Sequence, residues 1–528
     1  MQIKSPTFTK PDYEVAIIGA GFAGIGAGIR MRQNKIDSFV ILEKAADVGG
    51  TWRDNTYPGI AVDIPSFTYS FSFEPNPDWS RVFAPGAELK KYANDCTEKH
   101  ELRQHMKFNA AVADAVFDAQ NDLWRIRLES GEAISARFII NATGGLSLPK
   151  LPQITGIDTF RGKVIHTARW DHNYELRGKR VAIIGTGATS VQLVPAIAPL
   201  VDQLDVYQRT PIWVLPKPDR EIPGWMRWAF KRLPLLQRSF RLGTTIYSEV
   251  VMVLALIYFE RFPGIAGSAQ KAALRHLERQ VSDPEIRRKL TPSYGFGCKR
   301  PSFSNTYWAS FNRENIELVT DAIGEITPRG IVTKDGRGRD VDVLICATGF
   351  KVFEKGNLPT YTIHGLGGLE LGAFWEEQRY QAYEGATVPN FPNLFLVPGP
   401  YATSGSSWFS MIETQTAHAL RCITQARRRN ATYVEVRQEA HDRHFQMTLE
   451  RQKHTVFFNN NCSSANSYYF DRHGDAPFLR PASSIEVWWK STHFPLQDYV
   501  FSNPNNYATS RTGPKSPGDL KVSSATAD

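Results

Sequence analysis

Glycines at positions 19, 21 and 24 separate the apolar run Val15-Ala-Ile-Ile-Gly19 from the Ala/Ile-rich stretch 25–31. At that spacing they let the chain turn sharply, let its backbone approach a pyrophosphate and let a helix pack close on a strand, while the helix N-terminus favours negative charge. A second apolar run, Ser38-Phe-Val-Ile-Leu-Glu43, ends in an acid nineteen residues after Gly24, where a carboxylate can accept hydrogen bonds from ribose hydroxyls. The pattern returns at Gly185-Thr186-Gly187-Ala188-Thr189-Ser190, with serine in place of the third glycine. That change loosens the motif and puts close helix packing in doubt. Where the acid would recur, this unit has Gln208-Arg209-Thr210, and a cation there suits the 2′-phosphate of NADP rather than the free ribose of NAD. Two dinucleotide sites imply that NADPH gives a hydride, a flavin accepts it and the reduced flavin meets a further acceptor.

The acceptor is narrowed by cysteine. The five cysteines, Cys96, Cys298, Cys346, Cys422 and Cys462, are odd in number and scattered, which argues against a disulfide framework and a zinc site. No two are close enough in sequence for the redox pair a disulfide reductase needs, so a monooxygenase or an oxidase is the expected class and no metal is expected.

The elements that must position these residues follow from the same runs. Each glycine turn sits between a predicted strand and a predicted helix, and each strand recurs at βαβ distance, giving two doubly wound α/β units. Two near-identical strand ends, Phe138-Ile-Ile-Asn-Ala-Thr-Gly144 and Val343-Leu-Ile-Cys-Ala-Thr-Gly349, bracket the second unit. The expected architecture is α/β, with two Rossmann-like dinucleotide-binding domains, an NADP domain inserted into a discontinuous FAD domain, and a helical insertion. Its expected boundaries are 1–150 for the first part of the FAD domain, 151–340 for the NADP domain with its insertion at about 222–292, and 341–501 for the returning FAD domain with substrate-pocket segments. Residues 502–528 are rich in Ser, Pro, Asn and Gly and are expected to be a mobile tail.

Within the insertion, Arg227, Lys231, Arg232, Arg238 and Arg241 alternate with Trp228, Phe230, Leu233 and Phe240, and 244–259 is almost wholly apolar. That run is short for a membrane span, which needs roughly 20 residues. It reads as a packed cap helix, with contact between 227–259 and a membrane surface as the second reading. The net charge of +9, from 62 Lys+Arg against 53 Asp+Glu, accompanies no nucleic-acid motif, so nucleic acid is excluded as a partner. The polar start, 1–14, lacks a signal-peptide core, and a cytoplasmic location is expected, with membrane association left open. The sequence does not fix an oligomeric state.

One stretch adds a specific likeness. Phe160-Arg-Gly162-Lys-Val-Ile-His166-Thr-Ala-Arg-Trp170-Asp171 resembles the fingerprint of type I Baeyer–Villiger monooxygenases, placed between the two nucleotide motifs as in that family. Related heteroatom-oxidising flavin monooxygenases lack the tryptophan at the position of Trp170. The resemblance runs from about residue 12 to about 500. It implies FAD, NADPH and O2 as cofactors and co-substrate, and conversion of a ketone to an ester or lactone through a C4a-peroxyflavin. Gly50, Thr51, Trp52, Asp63, Tyr69, Val112 and Met411 match its flavin-side positions. Arg209 and Thr210, followed by Pro211, match its phosphate-binding turn, and Lys299 is implied to help hold the 2′-phosphate. Gly297-Cys298-Lys299-Arg300 is similar to the segment bearing the active-site arginine. Arg300 is therefore implied to keep the oxidant charged and to stabilise the oxyanion of the adduct, and Asp63 to hold Arg300 in place. His166 and Trp170 fall in a predicted interdomain linker and are expected to fix domain geometry. The alternatives are a heteroatom (S/N) oxidising flavin monooxygenase, an uncoupled NADPH oxidase, and a membrane-surface protein on a dead flavoprotein fold, which would need broken glycine motifs.

Overall fold

The computed structural model describes residues 10–503 except 355 and 406. Its first sheet has eight strands: β1 (Tyr13–Ile18), β2 (Phe39–Leu42), β3 (Met106–Lys107), β4 (Val112–Asp118), β5 (Leu123–Leu128), β6 (Ala133–Asn141), β17 (Thr362–His364) and β18 (Leu394–Leu396). Its order is β17-β4-β5-β6-β1-β2-β3, with β18 also on β6. The second sheet, in the order β12-β9-β8-β16-β7, joins β7 (Lys163–His166), β8 (Arg180–Ile184), β9 (Gln203–Tyr207), β12 (Ile316–Val319) and β16 (Val343–Cys346). Smaller sheets pair β10 (Val214–Leu215) with β11 (Ser302–Phe303), β13 (Ile323–Thr327) and β15 (Gly338–Asp340) with β14 (Gly330–Thr333), and β19 (Tyr433–Val436) with β20 (Tyr499–Ser502).

The continuous apolar runs in the sequence become β2 and the ends of β1, β8 and β9, which are buried on both faces, as parallel strands under helices require. The helices in chain order are α1 (Phe22–Gln33), α2 (Thr51–Asp54), α3 (Gly86–Lys99), α4 (Ala188–Ile197), α5 (Gly224–Arg232), α6 (Pro234–Ser248), α7 (Pro263–Gln280) and α8 (Pro284–Leu290). They continue with α9 (Tyr307–Ser310), α10 (Leu371–Gln378), α11 (Trp408–Arg429), α12 (Gln438–Gln452), α13 (Val456–Asn459) and α14 (Ser484–His493). Helix α11 packs on α1 through Phe22 and Phe409, whose rings are 4.6 Å apart. Helices α5 to α8 are the insertion.

Several expectations are corrected. Strand β16 pairs with both β7 and β8, so the second sheet runs past the expected boundary at 340. His166 ends strand β7 instead of lying in a linker, because β7 completes the sheet by pairing with β16. The run 244–259 is not one α-helix: α6 stops at Ser248, and Glu249–Leu254 form a π-helical turn. Ser502 is hydrogen bonded in β20 opposite Tyr433, and the rest of the expected tail, 504–528, lies outside the described residues.

Candidate active site

The two glycine turns repeat one geometry. Gly19 and Gly185 have φ of +107° and +111°, a region that costs any residue with a Cβ. A Cβ on Gly19 would stand 2.7 Å from the Ala142 carbonyl oxygen, and one on Gly185 2.6 Å from that of Ala347. The two Ala-Thr-Gly strand ends therefore seat the first glycine of each motif, which explains why they recur. The third motif position differs. A Cβ on Gly24 would stand 1.8 Å from the Gly19 carbonyl oxygen. At the equivalent place Ser190 is fully buried and its hydroxyl donates to the Gly185 carbonyl at 2.7 Å. The serine replaces close contact by a hydrogen bond, so the doubt raised by the altered motif is removed.

Both helices start at glycines without a side-chain cap, Gly21 for α1 and Gly187 for α4. Helix N-termini carry amide donors that no residue of the helix can satisfy, and such an open end fits a pyrophosphate. Gly49 and Gly50, at φ +111° and +50°, pass so close over Gly21 that a Cβ on Gly50 would meet its Cα at 3.0 Å. Thr51 and Trp52 follow in α2, and the Trp52 indole N–H donates to the Tyr69 hydroxyl at 3.3 Å. Glu43, buried, accepts from the Ala20 and Ala45 amides at 2.8 and 2.9 Å and from Arg53 at 3.0 Å. Its carboxylate thus stands at the glycine turn, as a ribose site requires. Val112 opens β4, two residues past Ala110, whose amide donates to the Glu43 carbonyl at 2.9 Å. Met411 is buried one turn into α11, in the same core as Phe22. The residues of the first motif fit a flavin dinucleotide.

In the second unit the Thr186 hydroxyl donates to the Thr210 carbonyl at 2.9 Å, tying the glycine turn to the Arg209 turn. Thr189 and Gln192 of α4 face the 57–61 segment: the Tyr57 hydroxyl donates to Gln192 Oε1 at 2.9 Å, and Gln192 Nε2 donates to the Ala61 carbonyl at 2.9 Å. A Cβ on Gly59 would meet the Gln192 carbonyl oxygen at 2.6 Å. Arg209 is exposed, while Lys299 is half-buried. Burial, and then the charge of Arg209, push the Lys299 ammonium down to about 8. Two cations near enough to repel each other fit an anion such as the 2′-phosphate of NADP.

Arg300 and Asp63 meet. Asp63 Oδ2 accepts from Arg300 Nε at 3.0 Å and lies 2.9 Å from Nη2. Burial opposes the guanidinium charge, but the Asp63 carboxylate together with the neighbouring Tyr469 and Tyr468 phenols outweighs it and raises the Arg300 pKa above its ordinary value, so the group stays cationic. The pair lines a narrow cavity of about 10 Å³, room for roughly one water molecule. Ile64 and Pro65 beside Asp63, Phe83, Phe303 of β11, and Tyr247, Ser248 and Met252 from the insertion complete its wall. Apart from the ion pair the wall is largely apolar, so a group entering it meets apolar surface and one fixed charge pair.

The fingerprint residues lie at the joint between units. Gly162 leaves no room for a side chain, since a Cβ would stand 2.4 Å from the Asp342 carbonyl oxygen and 2.5 Å from the Phe160 ring. His166 is buried, accepts through Nδ1 from the Ala168 amide at 3.1 Å, and burial pulls its pKa below the usual histidine value. Trp170 packs against the second core. Just beyond it, His172 Nε2 lies 2.8 Å from the Thr56 hydroxyl, linking this segment to the first unit.

Sequence reasoning missed three features. Gln192 has no signature that marks it as an interdomain clamp. Tyr468 and Tyr469 stand near enough to Arg300 for its charge to act on both phenols, and only their place in an aromatic-rich stretch hinted at them. Cys298 and Cys462 form a disulfide with Cα atoms 5.1 Å apart across 164 residues. One bond is not a framework, but scattered spacing gave no sign of it: the partners are distant in sequence yet adjacent in the fold, where the Gly295 amide donates to the Asn461 carbonyl at 2.9 Å.

Residues 16–234 match the family model described as pyridine nucleotide-disulphide oxidoreductase. That stretch holds both glycine turns, and its single cysteine is Cys96, so the Cys298–Cys462 bond lies outside it. The chain is 42% identical over 447 residues to a Baeyer–Villiger monooxygenase of Pseudomonas aeruginosa, an alignment that covers 84% of each protein. It is similar to the crystal structure of cyclohexanone monooxygenase from Rhodococcus sp. Phi1 bound to NADP+, with a TM-score of 0.81 at 28% identity over 94% of this chain and 100% of that one. The structure of OTEMO in complex with FAD and NADP gives a TM-score of 0.82 at 26% identity, again over 94% and 100%.

Proposed function

The chain belongs to the Baeyer–Villiger monooxygenase family, and from that premise we propose that it is an enzyme that uses NADPH, FAD and O2 to insert one oxygen atom beside the carbonyl of an apolar ketone, giving an ester or lactone. The observation that carries this reading is the Arg300–Asp63 pair in the wall of a largely apolar cavity. Bound FAD supplies the electron path from NADPH and the centre at which O2 is activated.

The protein's own residues do the rest. Gly19, Gly21, Gly24, Gly50, Thr51, Trp52 and Glu43 hold the flavin dinucleotide, with Tyr69, Val112 and Met411 around it. Gly185, Thr186, Gly187, Ala188, Thr189 and Ser190 hold the pyrophosphate of NADPH, and Arg209, Thr210 and Lys299 its 2′-phosphate. Negative charge gathers on oxygen as the carbonyl is attacked, and Arg300 offers a fixed positive charge in a low-dielectric wall, where it is worth most. Asp63 aims the guanidinium and keeps it protonated. The apolar wall excludes water that would compete for the same charge. Phe160, Gly162, His166 and Trp170 hold the two units in register.

Lys299 makes this reading pH dependent. It is charged below about 8 and loses its proton above, so the charge that attracts the 2′-phosphate is present at low pH and lost as pH rises. The KM for NADPH is expected to be flat between about pH 7 and that value and to climb above it, by at most roughly tenfold per pH unit, while the KM for NADH stays level. Lys299→Met should remove the difference. Steady-state KM values for both cofactors across pH check this, and a parallel rise for NADH would take Lys299 out of phosphate binding.

Mass spectrometry of products from cyclic, linear and aryl ketones, run beside a thioether, tests the activity itself. Esters or lactones are the expected products. A thioether turned to sulfoxide with every ketone untouched would favour the heteroatom-oxidising alternative. No described helix is long and apolar enough to cross a membrane. A cytoplasmic setting, with contact at a membrane surface through 227–259, belongs to this proposal.

A further inference from the structure

Helix α6 is turned inside out. Gln237, Arg241, Thr244 and Ser248 recur at helical spacing and face the protein. Gln237 Nε2 donates to the Asn76 carbonyl at 2.6 Å, and Arg241 Nη1 donates to the Phe67 and Ser70 carbonyls at 2.8 and 2.9 Å. The Thr244 hydroxyl is 2.6 Å from that of Thr68. The opposite side is apolar and faces water: Leu235 is 73% exposed, Leu242 61% and Ile246 54%, joined on α5 by Trp225 at 70% and Trp228 at 62%. A surface helix ordinarily has the reverse arrangement, and a contiguous apolar face of this kind marks a surface that meets something.

What it meets follows from charge and shape. Residues 224–248 contain five cations and no Asp or Glu; Arg241 is turned inward and Lys231 is paired with Asp78 at 2.7 Å, which leaves Arg227, Arg232 and Arg238 to meet a partner. Tryptophans and leucines beside lysines and arginines are the composition that seats a helix in the headgroup region of an anionic bilayer. A second copy docking through the same face would bring like charges together with no acid of that segment to meet them. The chain's own residues 504–528 hold only Tyr507, Leu520 and Val522 as large apolar side chains, too few to cover the face.

The C-terminal end of α6 lines the cavity through Tyr247 and Ser248, and the π-helical turn after it does so through Met252. We propose that α5 and α6 dock the enzyme on an anionic lipid surface, so that the roof of the cavity lies against the bilayer and takes apolar ketones dissolved in it. The substrate half of this rests on the proposed ketone oxidation; the docking half rests on the exposed faces of α5 and α6 alone.

The test is co-sedimentation of the flavin-loaded full chain with vesicles of phosphatidylcholine alone and of phosphatidylcholine mixed with phosphatidylglycerol. The chain is expected to pellet with the mixed vesicles only, less so as salt rises. Arg232→Glu with Arg238→Glu, and separately Trp225→Ser with Trp228→Ser and Leu242→Ser, should each weaken partitioning by about tenfold or more. Both variants should oxidise a water-soluble ketone at the wild-type rate without vesicles. Wild-type protein left in the supernatant, or variants that partition as the wild type does, would overturn the proposal. So would a lipid-free dimer, seen by sedimentation velocity, that the apolar variant converts to monomer. A chain that binds the mixed vesicles yet oxidises no ketone would sustain the docking and remove the enzymatic reading.

Discussion

Arg300→Ala is expected to leave reduction of the bound flavin by NADPH within about a few-fold of wild type and to lower ester formation by about 10³-fold. The two steps differ in what they ask of the residue. Hydride transfer needs the two dinucleotides in register, which the glycine turns and the Tyr57–Gln192 clamp provide. Attack on a carbonyl needs a positive charge where negative charge develops, and Arg300 is the cation in the cavity wall. Losing one preorganised charged donor in such a wall costs roughly 3–4 kcal/mol of barrier. Arg300→Lys should restore only part of the loss, because an ammonium cannot offer two N–H groups in one plane to Asp63. Rapid-mixing reduction followed by product analysis separates the steps, and a normal ester yield from Arg300→Ala would remove it from the mechanism.

Gly24→Val is expected to abolish flavin retention. The first carbon of any side chain at this position would stand 1.8 Å from the Gly19 carbonyl oxygen, well inside contact distance with backbone that has no rotamer to move. Helix α1 must then slide off β1, which deforms the turn at Gly19 and Gly21. Both the loss of core packing in α1, buried from Phe22 to Ile29, and the clash itself contribute, so at least about 3 kcal/mol of stability should go as well. Ser190→Gly at the matching place is the control. It removes one buried hydrogen bond and should cost only about 1 kcal/mol. The ratio of flavin absorbance to protein and the thermal midpoint report both. A yellow Gly24→Val protein of wild-type stability would contradict the reading of this turn.

These two residues mark the range of what the sequence reveals. Gly24 is legible because its reason is local: a strand, a turn and a helix lie within a few residues, so spacing alone states the geometry. Lys299 and Arg300 are legible only through family likeness. Their partners, Arg209 and Asp63, lie far away in the chain and nothing local announces the meeting. The Cys298–Cys462 bond was missed for the same reason, being a contact across 164 residues.

Helix α6 failed differently. Its apolar residues have helical spacing, which ordinarily means an inward stripe. Here the carbonyls of Phe67, Ser70 and Asn76 claim the polar side, and composition cannot say which face a protein will turn outward. The strand at His166 was hidden because four residues completing a sheet edge look like any short connection.

Of all measurements, the most direct uses isotopically labelled O2 with the purified, flavin-loaded enzyme, NADPH and the ketone panel, counting labelled ester against NADPH consumed. The expected result is one labelled oxygen atom in the ester for each NADPH, with little hydrogen peroxide. NADPH consumed with hydrogen peroxide as the sole oxygen product, across every ketone, would contradict the account.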